Sequence, residues 1–92
     1  MKHCILVKFN KDYDWKTELP NIKRIFDSID VKGVYFVDYI TNCIDRENRY
    51  DLLIRIDMDK ESLTEYDSCQ NHHEWKETYS SHIDKKAIFD YE

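Results

Sequence analysis

In two separate stretches of this chain, apolar side chains recur at every second position. Ile5, Val7 and Phe9 do so near the start, joined by His3, and Leu52, Ile54, Ile56 and Met58 do so past the middle. A period of two is the signature of a β-strand, because successive side chains point to opposite faces. Residues 4–9 are therefore read as a first strand and residues 50–58 as a third. In the first, Cys4 and Leu6 make the alternate face apolar as well, so cover is expected on both sides. In the third, Asp51, Arg55 and Asp57 occupy the opposite face.

Between them, the period changes. Trp15, Leu19, Ile22, Phe26 and Ile29 recur at helical spacing, with Ile25 beside them, and this predicts a helix over 17–29. Pro20 lacks an N–H and is tolerated only in a first turn, which sets the expected start near Thr17. The chain has one glycine, Gly33, read as the turn out of this helix. Residues 34–43 are rich in β-branched and aromatic side chains and are read as the second strand. The polar run 45–49 then turns the chain into an antiparallel hairpin with the third strand.

Asp59 is read as the cap of a short helix carrying Leu63 and Tyr66 inward. After a break near Cys69 and Gln70, Asn71 is expected to cap another helix, with Glu74 completing a capping box. Residues 84–91, with Ala87, Ile88, Phe89 and Tyr91, close the chain as a fourth strand. The order β-α-β-β-α-β is that of a ferredoxin-like α+β fold: a four-stranded antiparallel sheet with helices on one face. One domain spanning 1–92 is expected. Its other sheet face would be covered by a second copy, giving a homodimer.

Composition narrows the function. With 14 basic against 19 acidic residues and a net charge of −5, the surface lacks the basic footprint that nucleic acid or anionic membranes require. No apolar run approaches the roughly 20 residues of a membrane span. Cys4, Cys43 and Cys69 are an odd number at low density, and they read as buried thiols of a cytoplasmic protein, with Cys4 and Cys43 on strands. A single glycine excludes a Gly-rich phosphate cradle. Cys69, His72, His73 and His82 do not complete a zinc spacing, so no metal or other cofactor is expected.

Two of the four histidines stand apart. His3 shares its strand face with Ile5, Val7 and Phe9, toward the helices. His72, at the expected first position of a helix, shares a face with Trp75 and Tyr79. The positive end of the helix dipole disfavours its imidazolium, leaving a neutral imidazole able to act as a base or to bind a polar group. Tyr66 also faces inward, so two imidazoles and a phenol are expected to converge over the first strand. Such a set suits either enolisation beside a carbonyl or retention of a polar aromatic molecule.

Taken together, His3 to Phe9, Tyr50-Asp51-Leu52, Tyr66 with His72 six residues on, and the ending Phe89-Asp90-Tyr91 resemble the stress-responsive A/B barrel (Dabb) family over almost the whole chain. The resemblance implies a homodimeric α+β barrel. Through the branch similar to plant polyketide cyclases, it also implies His72 as acid/base, Tyr66 as its partner and His3 as a positioning group. Cys69-Gln70 stands where that pattern usually has His-Pro. The expected function is binding of a small apolar or aromatic ligand, with Ile5, Val7, Phe26, Trp75 and Tyr79 lining the pocket. The alternative is a cofactor-free enzyme of cyclase, isomerase or monooxygenase type.

Overall fold

The computed structural model describes residues 1–92. Strand β1 (Lys2–Phe9) is followed by helix α1 (Trp15–Asp27), strands β2 (Val34–Thr41) and β3 (Leu52–Met58), helices α2 (Leu63–Asp67) and α3 (Gln70–Tyr79), and strand β4 (Ile83–Tyr91). The four strands form one antiparallel sheet in the order β2-β3-β1-β4, with the helices on one face. This is the expected ferredoxin-like α+β fold.

Alternation does the sorting. His3, Ile5, Val7 and Phe9 of β1 and Leu52, Ile54, Ile56 and Met58 of β3 are all buried beneath the helices. Their register sets Ile5 opposite Ile54 on one side and Ile88 on the other, and sets His3 opposite Asp90. Ile22, Ile25 and Phe26 of α1 and Trp75 and Tyr79 of α3 complete the core. Burying aliphatic and aromatic side chains of this size stabilises by about 1.5–3 kcal/mol each.

The opposite sheet face is also apolar but open. Phe36 is 59% and Phe89 63% exposed, with Ile40 and Tyr91 beside them. Polar relief comes from an Arg55–Asp38 ion pair at 2.8 Å and a Lys2–Asp57 pair at 3.0 Å. Cys4 lies on this face between Arg55 and Phe89, where burial raises its thiol pKa.

Several local expectations are corrected. Helix α1 begins two residues earlier than Thr17, so Pro20 sits in its interior rather than its first turn. The cost is one helical hydrogen bond, lost where the residue is exposed to water. The helix ends at Asp27, leaving Ile29 beyond it but still packed on the core. Strand β2 stops at Thr41, so Cys43 is an exposed thiol outside the sheet and not a buried strand residue. Asp59 opens a 3-10 turn (Lys60–Ser62) and caps it with no side-chain bond; its carboxylate instead accepts from the Tyr35 hydroxyl at 2.8 Å. Gly33 adopts φ +90°, and a Cβ there would lie 2.1 Å from the Ser62 hydroxyl. Both the turn and the packing demand glycine.

Candidate functional site

Helix α3 starts at Gln70, two residues earlier than a cap at Asn71 allows. Its cap is Cys69, whose Sγ accepts the backbone N–H of His72 at 3.5 Å. Asn71 is thus inside the helix, and its amide donates across to Ile25 O (2.8 Å) and Ser28 Oγ (2.9 Å) of the α1 end. Glu74 does not close a capping box either; it pairs with Arg24 at 2.5 Å. This moves His72 to the third helical position. The Cys69-Gln70 step still starts the helix in the absence of a proline.

In that position, the His72 ring folds back over the preceding turn. Its Nδ1–H donates to the carbonyl of Asp67 at 2.9 Å, which leaves Nε2 as the free acceptor. Burial lowers its pKa, and Lys76 and Lys86 lower it further, against opposing contributions from Asp67. The imidazole is therefore uncharged at neutral pH.

Next to it stands Tyr66. Its ring centroid lies 4.9 Å from that of His72 and 5.4 Å from that of His3, so the phenol is held between two imidazoles. Tyr66 is fully buried, and its hydroxyl has no hydrogen-bond partner. Desolvation raises the phenol pKa well above its usual value, so it remains a donor. On the far side, His3 Nδ1 meets Asp90 Oδ1 at 2.5 Å, across 87 residues of sequence. The β1–β4 register alone brings these two together.

These groups border one cleft of about 290 Å³ between the β4 edge and helices α2 and α3. Ile5, Leu63, Trp75 and Ile88 supply its apolar wall; His3, Tyr66, His72, Lys86 and Asp90 supply the polar one. Asp67 borders it from the end of α2.

Of the residues singled out in the sequence, His3, Ile5, Tyr66, His72 and Trp75 line this cleft. Val7 lies deeper in the core, and Phe26 packs edge-on against Trp75 behind the wall. Tyr79 turns its hydroxyl toward α1, donating to Glu18 at 3.0 Å and accepting from Asn21 at 2.7 Å; burial pushes its pKa up to about 12. The remaining histidines are apart: His73 is exposed and 2.9 Å from Glu77, and His82 stacks on Tyr13. Lys86, Ile88 and Asp90 were not foreseen. They alternate along β4, and that alternation was the available signal once β4 was set beside β1.

The chain matches none of the known protein-family models and no curated protein sequence. Its fold, however, is well represented among solved structures. A dabb family protein from Mesorhizobium loti superposes with a TM-score of 0.78 at 17% identity, over 99% of this chain and 93% of that one. The chain has the ferredoxin-like fold of a dabb protein. The same ferredoxin-like fold recurs in a dimeric protein of unknown function from Thermobifida fusca (TM-score 0.78, 12% identity, 96% and 85% covered). It recurs again in the hydroxynitrile lyase of Passiflora edulis (0.76, 9%, 98% and 89%). The Dabb resemblance carried by the short sequence motifs thus agrees with the fold. No helix of the structure is long and apolar enough to cross a membrane.

Proposed function

We propose that this protein is a homodimer that binds one small apolar or aromatic molecule in each Tyr66 cleft, through an oxygen on that molecule. One observation carries the reading: a tyrosine whose ring lies between two imidazoles and whose fully buried hydroxyl has no partner of its own. Leaving such a donor unpaired costs about 1–3 kcal/mol, and a ligand oxygen would recover it. The apolar wall of Ile5, Leu63, Trp75 and Ile88 supplies the hydrophobic contact. The volume suits a single ring or a short chain.

The dimer is supported by the open aromatic sheet face and by the description of the Thermobifida fusca protein as dimeric. Two such faces packed together would form an α+β barrel, burying Phe36, Ile40 and Phe89 and leaving the clefts on the outside. A thermal-shift screen of aromatic aldehydes, ketones and phenols tests the ligand reading. Hits should raise Tm in the wild type and fail to do so in Tyr66→Phe; hits indifferent to that change would contradict it.

A second reading is favoured by His72. An uncharged imidazole with Nδ1 engaged and Nε2 free is poised to take a proton from a bound molecule. Tyr66 would donate to the oxygen on which charge develops. The His3–Asp90 pair would hold the opposite wall. This is general acid/base chemistry without a cofactor, of cyclase, isomerase or lyase type, and the Passiflora edulis lyase is an enzyme with this fold. Under this reading, His72→Ala abolishes turnover of a substrate while leaving its binding within a few-fold.

A further inference from the structure

Lys76 and Lys86 flank the His72 imidazole, and neither forms an ion pair. Lys86 lines the cleft from β4, and Lys76 lies one turn along α3 from His72. Lys86 is the one lysine on a lining that also carries Asp67 and Asp90, and neither carboxylate holds it. The cleft is also lined by Tyr66, whose buried hydroxyl has no partner. An ammonium can only donate and a phenol hydroxyl can donate beside it, and such donors are best satisfied by an anionic oxygen.

Two carboxylates border the same space, and neither closes it to an anion. Asp90 is engaged by His3, and Asp67 is exposed, touching His72 through its main-chain carbonyl. We propose that the cleft selects a small carboxylic acid, its carboxylate held by Lys86 at the mouth and by the Tyr66 hydroxyl within. The inference rests on the ligand-cleft reading above and narrows the ligand to an anion.

The test is a 1H–15N NMR titration with benzoate and with its neutral counterpart benzamide, on the wild type and on Lys86→Gln. Lys86 is exposed and bonds to no side chain, so the variant keeps the fold. Benzoate should move the amides of Ile5, Tyr66 and Ile88 and bind at least about fivefold more tightly than benzamide, the worth of one partly solvated charge pair. Lys86→Gln should erase that preference and leave benzamide unchanged. Equal binding of the two compounds to the wild type, or a preference surviving in Lys86→Gln, overturns the carboxylate assignment while the ligand cleft stands. If neither compound moves the cleft amides up to its solubility limit, both readings fall.

Discussion

Tyr66 and His72 carry chemical potential that the fold itself does not use. A hydroxyl buried without a partner lowers stability, so Tyr66→Phe should raise the free protein's unfolding free energy by about 1 kcal/mol in urea titrations. A loss of stability instead would mean that the hydroxyl has a partner and is not waiting for one. His72 makes a prediction in pH. Its folded pKa lies below the ordinary imidazole value of 6.5. As pH falls through that value, the unfolded chain takes up a proton that the folded one refuses, and stability declines. His72→Gln should flatten that decline between neutral pH and the lowered folded pKa, read as Tm against pH. An unchanged profile would place the titrating group elsewhere.

At the scale of elements, the N-terminus of α3 aims the site. Sulfur is a weak acceptor, so Cys69→Ser should strengthen the cap and stabilise by about 0.5–1 kcal/mol. Asn71→Ala should cost about 1 kcal/mol, because the Ile25 carbonyl loses the amide and keeps only the longer bond from the Ser28 hydroxyl at 3.2 Å. Chemical denaturation of the two variants checks both signs. The order of elements and their inward faces were legible because alternation in β1 and β3 and the helical spacing of Ile22 and Phe26 are local patterns. The start of α3 was not. Asn71 is as good a cap as any by type, and only its reach to Ile25 and Ser28, 43 to 46 residues away, draws it inside the helix. Tyr79 was misleading for a similar reason: it shares the face of His72, but one further turn carries its hydroxyl to Glu18. Asp90 became visible only through strand register.

For the whole molecule, the open sheet face is the surface through which the proposed dimer would form. Phe36, Ile40 and Phe89 lie on strands whose opposite face is the core, so a charge introduced there opposes association without entering the fold. Phe89→Glu should convert a dimer to a folded monomer in sedimentation equilibrium, with its circular dichroism unchanged. A wild type that is already monomeric would contradict the homodimer. The cleft itself is tested most directly by the 13Cζ resonance of Tyr66 in tyrosine-labelled protein, titrated with benzoate. A saturable shift at Tyr66, exceeding that at the exposed Tyr35, is the expected result. A Tyr66 signal that stays still while surface tyrosines respond would contradict a ligand oxygen at that hydroxyl.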